Sequence, residues 1–116
     1  MDGVALDVRR ALTSRVGGGD TRIQAIARTL ATSARSLQRR LAAAGFSYQQ
    51  LLDLARREAA ERYLSDSPLS IGEVAYLLGY SEPAAFDRAV RRCPDETPQA
   101  FRQRERSERS RVTASP

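Results

Sequence analysis

A pattern of apolar residues occurs twice in this chain, and this internal repeat constrains the fold more than any other feature of the sequence. The repeated residues are Ile23, Ile26, Ala27 and Leu30 in the first copy and, 48 positions later, Ile71, Val74, Ala75 and Leu78 in the second. Spacings of three and four residues place each set on one face of an α-helix. A further apolar pair follows each set, Leu37 with Leu41 and, after one inserted residue, Phe86 with Val90. The sequence therefore predicts two helix-turn-helix units.

Helical signals cover most of the remaining chain, so the sequence predicts an all-α fold with seven helices. Apolar residues recur at every fourth position from Val4 to Val16, and three glycines then end the helix. Candidate capping boxes precede three helices: Thr21 with Gln24, Ser47 with Gln50, and Ser70 with Glu73. Ser33 and Ser81 are single candidate caps, and Thr97 with Pro98 begins a short seventh helix.

These signals divide the chain into one domain and a tail. The domain covers residues 4–102, with a first helix-turn-helix at about 21–44, a long linker helix at about 47–65 and a second helix-turn-helix at about 70–92. Residues 103–116 contain arginine, glutamate and serine with almost nothing apolar. A segment of this composition cannot bury a core, so we expect a disordered basic tail there.

Composition narrows the function classes. All 19 basic residues are arginine, and against 14 acidic residues they give a net charge of +5 and a pI near 10.3. A balance this basic in a small domain is typical of nucleic-acid-binding proteins, but an arginine-rich, solvated surface gives the same balance, so composition alone does not fix the partner. The chain has no histidine, no lysine and one cysteine, so we expect no enzyme, metal site or cofactor. No apolar run could span a membrane, and we expect a cytoplasmic protein.

The second helix of the first unit carries the candidate base-reading residues. Arg35 and Arg39 lie one turn apart, and Gln38 lies beside them on the face opposite the apolar pair. Arginine offers a bidentate fork to guanine, and glutamine does the same for adenine. No acidic residue occurs between Arg22 and Asp53, so nothing in this segment neutralises the arginines. We therefore expect Arg35, Gln38 and Arg39 to face bases.

The second unit offers a different surface, and we expect it to read less sequence. Pro83 and Ala84 supply only apolar contact, for instance with a thymine methyl group. Asp87 either accepts from a cytosine amino group or orients Arg88 or a later arginine. The residues expected at backbone phosphates, or at positions that orient the contacts there, are Ser33, Arg40, Ser81, Asp87, Arg91 and Arg92. Arg22 and Arg88 are further candidates for phosphate or groove contacts.

The linker helix has the length needed to serve both units. About nineteen residues at 1.5 Å each give a helix of roughly 28 Å. Successive major-groove faces on one side of B-DNA lie about 34 Å apart. The sequence therefore predicts that one chain places two recognition helices in adjacent major grooves, while Leu51, Leu52, Ala55 and Ala59 pack the linker helix inward.

The motifs together resemble the DNA-binding domain of AraC/XylS-type transcriptional regulators, a homeodomain-like fold. The resemblance covers roughly residues 5–102, and its most typical stretches are Ser33–Leu41, Pro68–Ile71, Glu73–Ala75, Leu78–Glu82 and Thr97–Pro98. It implies binding to double-stranded promoter DNA, with base-reading positions that match Arg35, Gln38, Arg39, Pro83, Ala84 and Arg88. It also implies an effector-binding or dimerisation domain beyond this chain, unless the chain is a stand-alone short member. Ala31 stands where the family often has glycine, so we expect the first turn to avoid a left-handed residue.

Two other function classes stay open at this stage. A helical adaptor could bind acidic proteins through its arginines, but it would need an exposed apolar groove. A non-specific nucleic-acid or RNA-binding protein would favour stacking aromatic residues. The chain has only three phenylalanines and four tyrosines, which favours the sequence-specific reading.

Overall fold

The computed structural model describes residues 3–90 and 96–114, with side chains described as far as residue 109. Within these ranges it has seven helices: α1 (Gly3–Thr13), α2 (Ile23–Thr29), α3 (Ala34–Ala43), α4 (Tyr48–Asp66), α5 (Ile71–Leu77), α6 (Pro83–Val90) and α7 (Pro98–Ala114). The predicted all-α fold with two helix-turn-helix units is confirmed. The chain divides into two compact units, unit 1 (Met1–Ala59) and unit 2 (Ala60–Pro116). None of the described helices is long and apolar enough to cross a membrane.

The core of unit 1 lies where α1 packs against α2 and α3. Its fully buried side chains include most of those that the sequence pattern selected: Val8, Leu12, Ile26, Leu37, Leu41 and, from the beginning of α4, Leu51 and Ala55. Of the other selected residues, Val4, Ile23 and Leu30 are only half-buried. The small side chain of Ala27 is also buried, which lets the two helices of the motif approach closely. An ion pair between Arg9 of α1 and Glu58 of α4 joins the two helices at the edge of this core.

The same turn geometry ends the first helix of each helix-turn-helix unit. The amide of Thr32 donates to the carbonyl of Ala27 at 2.9 Å, and the amide of Tyr80 donates to the carbonyl of Ala75 at 3.0 Å. This is the Schellman pattern, in which the residue after the helix cap adopts a left-handed conformation. In unit 2 that residue is Gly79, with a φ of 87°.

Ala31 occupies the corresponding position of unit 1 and has a φ of 58°. The expectation that this turn avoids a left-handed residue is therefore wrong. The two hydrogen bonds of the Schellman pattern and the burial of Ala27 on one side of the turn and Leu37 on the other hold the backbone in this conformation despite the side chain. A left-handed L-residue costs roughly 1–2 kcal/mol, so unit 1 carries local backbone strain.

Most of the predicted caps form. Ser33 accepts from the amide of Ser36, and both hydrogen bonds of the capping box are present for Ser47 with Gln50 and for Ser70 with Glu73. The box predicted for Thr21 and Gln24 is wrong. The cap position of α2 belongs to Arg22, which makes no side-chain cap, and the amide of Arg22 is bound by Asp20 instead.

The core of unit 2 gathers side chains from the end of α4 and from α5, α6 and α7. The most deeply buried are Leu64, Val74, Phe86, Val90 and Phe101. The ring of Tyr80, in the turn, meets the ring of Phe86 edge-on, with 5.4 Å between their centroids. This contact fixes the turn against the second helix of the motif, as aromatic pairs of this geometry do.

The last helix differs from the predicted short helix and disordered tail, since α7 continues to Ala114. The sequence indicated disorder because residues 103–114 have no apolar stripe to bury. In the structure, arginine side chains of α7 bind backbone carbonyl groups at the end of α4, and Arg104 pairs with Glu96. The later turns of α7 are thus held by polar contacts with backbone carbonyl groups. Apolar packing, which would show as a periodic pattern in the sequence, does not hold their described residues.

Candidate nucleic-acid interface

The N-terminal cap and two leucines orient α3 so that one face is buried and the other is fully presented to solvent. Ser33 holds the first turn, while Leu37 and Leu41 are completely buried in unit 1. The remaining residues of the helix include the four predicted to contact nucleic acid, and all four are exposed: Arg35, Gln38, Arg39 and Arg40. The structure therefore brings the predicted base-reading residues of unit 1 together on one helix.

These arginines have no partner among the described residues. None of Arg35, Arg39 and Arg40 forms an ion pair or hydrogen bond within the described part of the chain. By contrast, Arg9 pairs with Glu58, and Arg104 donates to both carboxylate oxygens of Glu96. Within the described part of the chain, no group therefore compensates the guanidinium charges of α3 or occupies their hydrogen-bond donors. Planar guanidinium groups in this state suit phosphate oxygens and the acceptor edge of guanine.

Arg22 was a candidate for contact with nucleic acid, and the structure places it in an ion pair. Its guanidinium donates to the carboxylate of Asp20 at 2.8 and 3.0 Å. This pairing holds the pKa of Asp20 well below its usual range and raises the pKa of Arg22. Asp20 is therefore a permanent negative charge that cancels Arg22 locally.

Arg28 is a further exposed cation of unit 1 that the sequence analysis did not select. It lies in the last turn of α2, and its side chain forms no hydrogen bond or ion pair with another described residue. The signal that points to it was available, since the stretch without acidic residues between Arg22 and Asp53 includes it. A cation at a helix C-terminus also complements the helix dipole, so this position serves α2 itself.

The N-terminal part of α6 is the corresponding surface of unit 2. Pro83 is the first residue of the helix, and the carbonyl of Glu82 accepts from the amides of Ala85 and Phe86. Glu82 thus holds the cap position that was predicted for Ser81, and Ser81 lies exposed in the turn before it. The residue inserted in the second copy of the repeat therefore lengthens the turn, and the spacing from the cap position to the first buried residue of the helix is the same in both units.

Aligning the two helices on their buried residues gives the register of the second recognition surface. Phe86 and Val90 are buried where α3 has Leu37 and Leu41. Ala84 then matches Arg35, Asp87 matches Gln38, and Arg88 matches Arg39. Pro83, Ala84 and Arg88 are exposed and Asp87 is half-buried. Among the described residues of α6, Arg88 is the one arginine on this face, whereas α3 presents Arg35, Arg39 and Arg40. That unit 2 reads less sequence than unit 1 stays a prediction.

Two predicted residues, Arg91 and Arg92, lie outside the described residues. The part of the chain that the structure describes contains no cluster of three or more His, Cys, Asp or Glu residues that could hold a metal ion. The described donor groups of the predicted surface are guanidinium, amide and hydroxyl groups, which can bind phosphates and base edges.

Comparison with known proteins gives relatives for this arrangement. A family model described as a helix-turn-helix domain matches residues 26–104. The ornithine utilization regulator of Pseudomonas aeruginosa is 40% identical over 102 residues, which are 88% of this chain and 30% of that protein. The HTH-type transcriptional regulator VirS of Mycobacterium tuberculosis is 43% identical over 84 residues, 72% of this chain and 25% of that protein. This chain thus spans less than a third of the length of these curated relatives.

Solved structures share the fold. A DNA-binding transcriptional dual regulator from Escherichia coli K-12 superimposes with a TM-score of 0.78 at 23% identity, covering 92% of this chain and 96% of that one. The DNA-binding domain of the global transcriptional factor AdpA, crystallised with a target DNA, superimposes with a TM-score of 0.67 at 30% identity. That match covers 95% of this chain and 98% of the other.

Proposed function

This chain belongs to the AraC-type family of helix-turn-helix proteins, and from that membership we propose that it is a sequence-specific, double-stranded-DNA-binding domain of a bacterial transcription regulator. The observation that carries the proposal is the exposed face of α3, where Arg35, Arg39 and Arg40 surround Gln38 without any partner among the described residues. The AdpA domain, which resembles this chain in fold and sequence, was crystallised with a target DNA and supports the same assignment.

Each side chain of α3 has a role in this proposal. Arg35, Gln38 and Arg39 read base edges in a major groove, because arginine and glutamine make bidentate contacts with guanine and adenine. Arg40 and Ser33 lie at backbone phosphates and fix the register of the helix on the duplex. In unit 2, Pro83, Ala84 and Arg88 contact bases, while Ser81, Asp87, Arg91 and Arg92 contact phosphates or orient the groups that do.

We also propose that the two recognition helices enter successive major grooves of one duplex. The 19 residues of α4 form one continuous helix, about 28 Å long at 1.5 Å per residue. This length is comparable with the roughly 34 Å between groove faces on one side of B-DNA. A single chain would then make the two-groove contact for which many helix-turn-helix proteins need a dimer.

The remaining parts of the proposal concern the whole regulator. The curated relatives are more than three times as long as the region they share with this chain, so we propose that an effector-binding or dimerisation domain acts together with it. Contact with a bacterial promoter requires a cytoplasmic location. We assign the chain a binding role and no catalytic one, because its surface offers guanidinium groups and lacks the histidine and lysine side chains of common active sites.

Selection of binding sites from a random duplex pool tests this function. We expect an enriched motif that spans about two helical turns. Arg39→Ala is expected to weaken binding to the selected site by roughly 1–3 kcal/mol and to relax the preference at one or two base pairs. Arg40→Ala, on the same helix, is the matched control and should weaken selected and random duplexes alike.

The rival functions give different results in the same experiment. A non-specific nucleic-acid-binding protein would retain duplexes without enriching a motif. A protein-interaction adaptor would retain no duplex at physiological salt. Equal selectivity profiles for the Arg39 and Arg40 variants would contradict the division into base-reading and phosphate-contacting residues.

A further inference from the structure

One face of α7 lies against the carboxyl-terminal end of α4 within unit 2. Its three arginines follow at spacings of four and three residues, which is one helical face. Arg102 donates to the carbonyl of Leu64 at 2.9 Å, and Arg106 donates to the carbonyl of Ser67 at 2.7 Å. Arg109 lies within 3.4 Å of the carbonyl of Ser65 and forms an ion pair with Asp66.

The end of α4 needs these contacts because its own sequence does not supply them. The last four carbonyl groups of any helix have no partner inside the helix, and cations are favourable there. The last turn of α4 contains no basic residue and ends with Asp66, a negative charge at the negative end of the helix dipole. The arginines of α7 provide both the missing donors and the counter-charge.

The first turn of α7 is joined to the helix-turn-helix of the same unit. Phe101 is 3% exposed and belongs to the core of unit 2, and Pro98 is buried. Thr97, Pro98 and Gln99 line a cavity of about 620 Å³ together with residues of α5 and α6 that include Ala75, Pro83 and Phe86. Thus α7 contacts the helix-turn-helix with its first turn and the end of α4 with the turns that follow.

The charges of α7 are used inside unit 2, in contrast to those of α3. Arg104, which is not on the Arg102 face, donates to Glu96 at 2.8 and 3.1 Å, and these carboxylate contacts raise its pKa. Every arginine among the described side chains of α7 therefore has a protein partner. These arginines differ from a basic arm, whose cations must stay available for phosphates.

We propose that α7 is a clamp, in which Arg106 and Arg109 hold the end of the linker helix and thereby position the recognition helix α6 for DNA. The proposal rests on the proposed DNA-binding function. It makes Arg106 and Arg109 positioning residues that touch no DNA.

The double substitution Arg106→Gln with Arg109→Gln tests the clamp, and Arg104→Gln on the same helix is the matched control. On the full selected site, the double variant should lose protection of the half-site bound by unit 2, and affinity should fall about 10²- to 10⁴-fold as the second contact is lost. On a duplex carrying only the half-site for unit 1, its affinity and salt dependence should equal those of the unmodified protein. The Arg104 variant should protect both half-sites.

Restoring the charge with Arg106→Lys and Arg109→Lys should recover most of the protection, because an ammonium group also donates to carbonyls. If the double glutamine variant is unfolded by circular dichroism, Arg106→Gln alone gives the same comparison. Full protection of both half-sites by a folded glutamine variant would overturn the clamp. So would a reduced salt slope on the unit 1 half-site, because that would place these arginines at phosphates.

Amide exchange separates failure of the clamp from failure of the proposed function. The amide of Ser67 donates to the carbonyl of Tyr63 in the last turn of α4, at 3.0 Å. In the glutamine variant this amide should exchange faster, in the absence of any DNA. If the unmodified protein selects no duplex sequence but the variant shows this faster exchange, the proposed function is refuted and the contact of α7 with the end of α4 is supported. If the glutamine variant exchanges this amide at the unchanged rate while the unmodified protein selects a duplex motif, the clamp is refuted and the proposed function stands.

Discussion

Arg22 and Arg39 carry the same charged group, but their surroundings give the two side chains different capacities to bind an anion. The guanidinium of Arg22 shares its donors with the carboxylate of Asp20, whose pKa is lowered by that contact. The pair therefore stays ionised at every pH at which DNA binding is normally measured. Arg39 has no such partner among the described residues. Only the second side chain can neutralise a phosphate without first breaking an ion pair.

Removing the charge of Asp20 should release Arg22 to the duplex. In Asp20→Asn the side-chain oxygen can still accept from the amide of Arg22, so the local turn is preserved. We expect tighter binding to random duplexes, and a plot of log affinity against log salt that is steeper by up to about 0.9, the value for one added phosphate contact. Titration of fluorescent duplexes at several salt concentrations measures both. An unchanged slope would mean that Arg22 faces away from the DNA.

Ala31 and Gly45 differ in how well the residue type suits the backbone. Both follow a helix and have positive φ values, 58° and 89°. We expect Ala31→Gly to stabilise the protein by about 0.5–1 kcal/mol, since relief of left-handed strain exceeds the added entropy of the unfolded chain. Gly45→Ala is the reverse control, because a Cβ there meets open space and only the backbone term acts. It should destabilise by about 1 kcal/mol. Urea unfolding measures the sign of both changes in unfolding free energy. A less stable Ala31→Gly variant would contradict the inference that Ala31 strains the backbone.

At the scale of the element, caps were largely predictable because each depends on residues close in the sequence. Ser33, Ser47 and Ser70 accept the hydrogen bonds that their spacing indicated. Thr21 does not, because Asp20 binds the amide of Arg22 and the carbonyl of Thr21 accepts from the hydroxyl of Tyr48 at 2.6 Å. A contact with a residue twenty-seven positions away decides this helix start, and local spacing cannot report it.

Two alanine substitutions should reproduce this difference. Ser33→Ala removes the N-terminal side-chain cap of α3 and should cost about 1 kcal/mol of unfolding free energy. Thr21→Ala leaves the carbonyl bond to Tyr48 intact and should change the unfolding free energy by less than about 0.5 kcal/mol. Chemical denaturation of the two variants beside the unmodified protein checks the prediction. If both substitutions lowered the unfolding free energy equally, Thr21 would act as a helix cap after all.

The candidate site was more predictable than the last helix. The exposed residues of α3 follow from periodicity alone, since Leu37 and Leu41 fix the buried face and the others must point outward. The length of α7 was not predictable, because Arg106 and Arg109 bind the end of α4 from about forty residues away. Such pairing leaves no apolar period in the sequence. Whether an arginine is paired within the protein or can bind DNA likewise depends on its neighbours in the folded chain, and composition does not identify those neighbours.

At the scale of the whole molecule, α4 is the only one of the described helices that contributes residues to both compact units, with Ala59 and Ala60 at the boundary. Both alanines are fully buried in a continuous helix. Ala59→Pro removes a backbone hydrogen bond and kinks or breaks the helix, at a cost of about 3 kcal/mol or more. If the linker helix sets the spacing of the recognition helices, a variant that still folds should protect only a half-site, with much lower affinity.

A change in the DNA tests the same spacing without disturbing the protein. Inserting five base pairs between the two half-sites moves them about 17 Å further apart and rotates one groove by roughly half a turn. A chain that holds its recognition helices at a fixed spacing cannot reach both half-sites of that duplex, so footprinting should show one protected half-site and a loss of most of the affinity gained from the second contact. Inserting ten base pairs restores the rotational phase but doubles the separation of the half-sites to about two turns. A rigid linker helix would still let the chain protect only one half-site of that duplex, whereas a flexible linker would let it protect both. Protection of both half-sites on the ten-base-pair duplex, but not on the five-base-pair one, would therefore show that the linker helix yields. Protection of both half-sites on either inserted duplex would refute the proposal that α4 sets a two-groove register.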